Sequence, residues 1–176
     1  SLILTSIPVY FLTWFSISEG FLNVGYYSRA NSLLIIGTVI ASSVGPLLYS
    51  KWSLVKGKEL KLQVRRVSLL LAFVNTLLAI GLIIFAPIFI RILYGTEYQT
   101  AAPVLRLLAL TMIANGAKEV SYGILSSQGS PLSIMKNLVI GIILSAILNY
   151  FIIPQFGVIG CSVVTVLVLS LIHISE

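Results

Sequence analysis

The chain has 176 residues, of which 58% are hydrophobic and 9% charged, with a formal net charge of +6 at pH 7. A water-soluble domain carries roughly 25% charged residues, so this chain has too little polar surface to face water, and its expected solvent is lipid. A single Cys, a single His, five acidic residues and no Asp argue against a disulfide framework, a metal centre, a bound cofactor, paired-carboxylate catalysis or a Ser-His-Asp triad. No enzyme activity is expected.

Charged residues are absent from 30–50, 67–90 and 137–175. A spanning helix needs about 20 apolar residues at about 1.5 Å each, so the first two intervals hold one span apiece. The third, about 58 Å long as a single helix, has to fold into two, with the break at Pro154-Gln155-Phe156-Gly157. In chain order the expected helices are 1–16, interrupted by Pro8, then 24–50, 67–90, 104–126, 133–153 and 157–172. The expected fold is all-α, a polytopic membrane bundle of about six transmembrane helices. Ser1 is not followed by the basic n-region or cleavage site of a signal peptide, so the chain reads as an internal piece of something longer, and 173–176 as a doubtful tail.

Between the second and third helices, residues 51–66 carry six bases, Lys51, Lys56, Lys58, Lys61, Arg65 and Arg66, against the one acid Glu59. Short Lys/Arg-rich connections stay in the cytoplasm, so the second span runs inward and the third outward. The cations also favour anionic lipid. That explains them without a nucleic-acid partner, which is not expected.

Charges within spans are costly unless they face a cavity, a partner or the interface. Arg29 lies five residues into the second span, about 8 Å deep, where it either snorkels to the interface or contacts an anion in a cavity. In the fourth span, Thr111, Asn115, Lys118, Tyr122 and Ser126 recur at helical spacing on one face. That face either lines a cavity or makes interhelical hydrogen bonds. Glu119 lies off it, as a site for a coupling ion or a partner for another helix. Gly37, Ala41 and Gly45, and likewise Gly141 and Ser145, repeat small residues every fourth position, the pattern of close helix packing. Asn75 and Asn149 are expected to hydrogen-bond between helices. The connection 91–103 contains Gly95 as a turn residue, Tyr94 and Tyr98 at headgroup depth, and Pro103 near a helix start; Arg91 and Arg106 flank it as interface anchors.

Four strings stand in order: Val24-Gly25-Tyr26-Tyr27-Ser28-Arg29-Ala30; a span ending in Pro46 before the basic stretch; Leu93-Tyr94-Gly95-Thr96-Glu97-Tyr98 with Ala101, Ala102 and Leu105; and Pro154-Gln155-Phe156-Gly157-Val158-Ile159-Gly160. Together they resemble the polysaccharide (O-antigen, Wzx-type) flippases of the multidrug/oligosaccharidyl-lipid/polysaccharide exporter superfamily. The resemblance implies two six-helix lobes around a cavity, with this chain as most of the second lobe (1–172) and the first lobe missing. It implies transport of an undecaprenyl-pyrophosphate-linked oligosaccharide across the bacterial cytoplasmic membrane, with Arg29 and Lys118 receiving the pyrophosphate beside Asn115 and Tyr122. Many relatives carry an Asp in the first helix of this lobe. Here the stretch Pro8-Val9-Tyr10-Phe11 is uncharged, a departure from the family's pattern that counts against carboxylate-based ion coupling at that place. A multidrug/cation antiporter, which would need embedded acids, and a lipid II-type flippase are the alternatives within the superfamily.

Overall fold

A computed structural model of the chain describes residues 2–15, 21–42, 52, 57–113, 120 and 131–174. Among them there are helices and turns and no strand. We label the helices α1 (Leu2–Phe15), α2 (Leu22–Ser42), α3 (Lys58–Tyr94), α4 (Ala101–Ala109) and α5 (Pro131–Ile174), with a short 3-10 turn at Thr96–Tyr98 between α3 and α4.

The 37 residues of α3 make a rod of about 55 Å, far longer than the roughly 30 Å of bilayer hydrocarbon. It begins after Gly57 and ends before Gly95, whose φ values of 73° and 86° are conformations that glycine reaches without strain. The basic stretch read as an open connection is therefore partly helix. Lys58, Lys61, Arg65 and Arg66 project, exposed, from the first turns of α3. Beneath them Leu60, Val64 and Val67 pack on a small cluster of Trp52, Leu71 and Val120.

Further along α3 the usual inside-out order of a water-soluble helix is reversed. Leu69, Phe73, Leu77, Ile80, Ile84 and Ile88 recur at helical spacing and are exposed, while Asn75, Ala79, Ala86 and Ile90 are buried. In water, such a continuous apolar face would be far larger than a monomer tolerates. In lipid it is the expected solvent contact, and small or polar residues belong at the helix interface.

α4 is the hub. Ala101, Ala102, Val104, Leu105, Leu108 and Ala109 are all buried, and the helix packs against α2, α3 and α5 together. Small side chains on α4 meet Ala86 and Ile90 of α3, and Ala30, Leu33 and Leu34 of α2 in one core with Met112. Gly37 of α2 allows close approach, since an added Cβ there would lie 3.1 Å from Met112 Cε.

α5 is not one rod. Gly157 leaves the helical region, with φ 53° and ψ −136°. Leu138, Ile142 and Leu148 from before it pack on Val164 and Val168 from after it. In a straight helix Leu138 and Val164 would be about 39 Å apart, so the chain doubles back at Gly157 into two arms. Gly160 seals the reversal, because a Cβ there would come within 2.7 Å of both Ile152 Cγ2 and Phe156 Cβ. α1 lies mainly along α5, with Phe15 against Tyr150. The buried stripe of the first arm is Gly141, Ser145 and Asn149.

Candidate functional site

The start of α2 and the α3–α4 corner, about 70 residues apart in sequence, meet in space. Gly95 lets the chain leave α3 in an extended left-handed conformation, and hydrogen bonds from Gly95 N–H to Arg91 O (3.1 Å) and from Ala102 N–H to Gln99 O (3.0 Å) tie the corner to both helices. Tyr94 and Tyr98 flank the turn with ring centroids 6.1 Å apart. Tyr26 meets Tyr98 edge to face at 6.0 Å. Gly25 lies beside Tyr98, where an added Cβ would stand in ordinary van der Waals contact at 3.8 Å from Cε1.

Arg29 completes this cluster. Its guanidinium carbon is 5.2 Å from the Tyr94 ring centre and 6.0 Å from that of Tyr98. The side chain is exposed, and among the described residues no carboxylate pairs with it. A guanidinium beside aromatic rings still carries five N–H donors in a fixed fork, a geometry that suits an oxyanion. On the opposite side of α2, two residues and so about 200° away, Tyr27 is fully buried. Its hydroxyl is 3.1 Å from Thr165 Oγ1 on the second arm of α5. That bond and the burial of Ala30 set the rotation of α2, which aims Arg29 at the corner. The three tyrosines and Arg29 thus form one packed group.

The other expected site residues divide. Lys118, Asn115, Tyr122, Glu119, Ser126, Lys51 and Lys56 lie outside the described residues. Thr111, the described member of the polar stripe, is buried and donates to Leu108 O of α4 at 2.6 Å. Asn75 and Asn149, expected to bond between helices, instead donate within their own helices, to Leu71 O at 2.8 Å and to Ser145 O at 2.7 Å. The reason is local: Nδ2 of a helical Asn reaches the carbonyl four residues back, and Asn149 also reaches Ser145 Oγ at 3.1 Å in the same helix. Arg106 is not merely an interface anchor, since its Nε donates to Ile83 O of α3 at 3.1 Å.

Exposed bulky apolar faces, a buried small-and-polar interface and two helical stretches long and apolar enough to cross a bilayer define an all-helical membrane protein. Residues 20–103, which contain both halves of the Arg29 cluster, match the family described as "Polysaccharide biosynthesis protein". The chain is 31% identical over 145 residues, 80% of its length, to an uncharacterized membrane protein (MJ1068) of Methanocaldococcus jannaschii. It is 26% identical over 174 residues, 94% of its length, to the probable low-salt glycan biosynthesis flippase Agl15 of Haloferax volcanii. It spans 29% and 37% of the lengths of these two relatives. No solved structure matches the chain. These likenesses support a polysaccharide-biosynthesis, flippase-type family.

In the sequence, Arg29 and the tyrosines of the corner stand in two separate strings. Both strings were visible, but their contact depends on α4 folding back along α3 and α2.

Proposed function

We propose that the chain is most of one lobe of a two-lobed flippase that moves a polyprenyl-pyrophosphate-linked oligosaccharide, undecaprenyl-linked in a bacterial cytoplasmic membrane, from one leaflet to the other. The observation that carries this reading is Arg29: an exposed guanidinium whose carbon lies 5.2 Å and 6.0 Å from the ring centres of Tyr94 and Tyr98, inside the stretch that matches a polysaccharide biosynthesis family. A pyrophosphate crossing hydrocarbon needs compensating positive charge, and a planar fork binds phosphate oxygens two at a time. Lys118, with Asn115 and Tyr122, is assigned to the same anion, and Glu119 to ion coupling. The first lobe is supplied by the rest of the same polypeptide, and transport follows from rocking of the lobes around the glycolipid.

The first turns of α3 support a second partner. Because α3 exceeds the hydrocarbon thickness by about 25 Å, Lys58, Lys61, Arg65 and Arg66 fall at headgroup depth, where each cation near an anionic surface contributes about 1 kcal/mol. They hold the cytoplasmic edge of the lobe on acidic lipid while the lobes rock.

Complementation of a flippase-null host by the full-length gene tests the reading. The expected result is restored surface glycan and disappearance of the accumulated lipid-linked intermediate, with Arg29→Ala failing to rescue at normal membrane levels. Efflux of organic cations in place of glycan rescue would favour the antiporter alternative and refute the flippase.

A further inference from the structure

Pro87 stands inside α3 and has no N–H, so the carbonyl four residues earlier, that of Ile83, lacks its helical donor. In hydrocarbon no water replaces it. The missing donor comes from the neighbouring helix: Arg106 Nε of α4 lies 3.1 Å from Ile83 O. Pro154 of α5 offers a contrast, for among the described residues no side chain donates to Tyr150 O.

The bond closes a loop of 23 residues that contains the whole corner. Ile83 is about 16 Å below Tyr94 on one leg by helical rise, and Arg106 about 12 Å below Tyr98 on the other. Apolar contacts such as those of Ala102 and Leu105 with Ala86 and Ile90 also join the legs. In lipid, though, such contacts gain nothing from water exclusion, so they fill the interface without fixing its register. A directional bond from a guanidinium to a carbonyl fixes it.

We propose that Arg106 is a positioning residue: by serving the carbonyl that Pro87 frees, it pins the two legs of the α3–α4 hairpin and so holds Tyr94 and Tyr98 where Arg29 stacks. The last step rests on the role of Arg29 proposed above; the pinning itself does not.

The test is a double-mutant cycle between residues that do not bond each other. Arg106→Met keeps the aliphatic reach and removes every donor. Pro87→Ala restores an N–H to Ile83 O from within α3, which makes Arg106 dispensable. In the purified full-length protein, R106M is expected to lower the unfolding temperature and to reduce glycolipid transport by about tenfold, the scale of a lost charged hydrogen bond. In the P87A background the same R106M change is expected to cost little in either measurement. Arg106→Lys, which retains a donor, is expected to recover part of the loss. Equal losses from R106M in both backgrounds, or no loss in the wild-type background, would overturn the proposal. If R106M yields no folded protein, recovery of folded P87A/R106M is the predicted rescue, and failure of both contradicts it. If even the wild type moves no glycolipid, the flippase reading falls while the unfolding cycle still decides the pinning.

Discussion

The buried bond between Tyr27 and Thr165 makes a prediction in which two ways of breaking one contact differ. Tyr27 is 0% exposed and Thr165 5%. The Thr165 hydroxyl has one hydrogen, and it donates to Cys161 O at 2.9 Å. The arrangement that leaves neither hydroxyl hydrogen unpaired has Tyr27 donating in the 3.1 Å contact between the two side chains, where by distance either oxygen could donate. Tyr27→Phe removes that donor and leaves Thr165 with an unfilled acceptor site but a satisfied hydrogen, which should cost about 0.5–1.5 kcal/mol, the net worth of an ordinary hydrogen bond. Interhelical bonds in membranes average about 0.6 kcal/mol, which places the effect at the lower end. Thr165→Val instead strands the Tyr27 hydroxyl in the core with no acceptor, and an orphaned buried donor costs about 1–3 kcal/mol. Cys161 O keeps its helical partner and adds little. In the double variant no polar group remains, so it should be close to Tyr27→Phe alone and more stable than Thr165→Val. Unfolding of the purified full-length protein in mixed micelles measures the order. A Thr165→Val variant as stable as Tyr27→Phe, or a double variant showing the sum of the two losses, would refute the donor assignment and with it the orientation of α2.

Four further outcomes follow from the geometry. Arg29→Lys keeps the charge but loses the planar fork, so glycolipid affinity should fall while membrane levels stay normal; Tyr94→Leu should give a smaller loss, matching the roughly 0.5–1 kcal/mol of an exposed cation–π contact, measured by binding of the lipid-linked substrate. Gly160→Ala puts a Cβ within 2.7 Å of Ile152 and Phe156 at the α5 reversal, and overpacking of this kind costs about 1–3 kcal/mol, read as a lower unfolding midpoint. Reversing Lys58, Lys61 and Arg65 to Glu should weaken retention on vesicles containing acidic lipid and disturb the orientation of α3, read by reporter fusions, because the positive-inside bias rests on these cations.

Composition alone announced a lipid-facing, all-helical chain, since 9% charged residues cannot cover a water-soluble surface. The 39-residue charge-free interval was too long for one span, and Gly157 is where the backbone leaves the helix. What the residues did not disclose was where polar groups find partners. Asn75 and Asn149 looked like interhelical glue because their side chains are polar, but a helical Asn has its own carbonyl ladder within reach. Arg106 looked like an interface anchor because nothing local marks Ile83 as short of a donor; only the offset of four from Pro87, combined with the packing of α4 on α3, shows it. Arg29 and the corner tyrosines were each conspicuous. Their contact is a property of the packed bundle, since no spacing rule links positions some 70 residues apart. Helix periodicity also did not show that the basic stretch is half helix, because Lys58 to Arg66 mixes cations with Leu60 and Val64, and its apolar face is recognisable only beside Trp52.

The central claim is that Arg29, held on its tyrosines, receives the charged end of a lipid-linked glycan during transport. Its most direct test is translocation of a fluorescent polyprenyl-pyrophosphate oligosaccharide in proteoliposomes containing the full-length protein, compared with the Arg29→Ala variant at equal incorporation. Protein-dependent exchange between leaflets that Arg29→Ala abolishes is the predicted result. Exchange at the wild-type rate in the variant would contradict it.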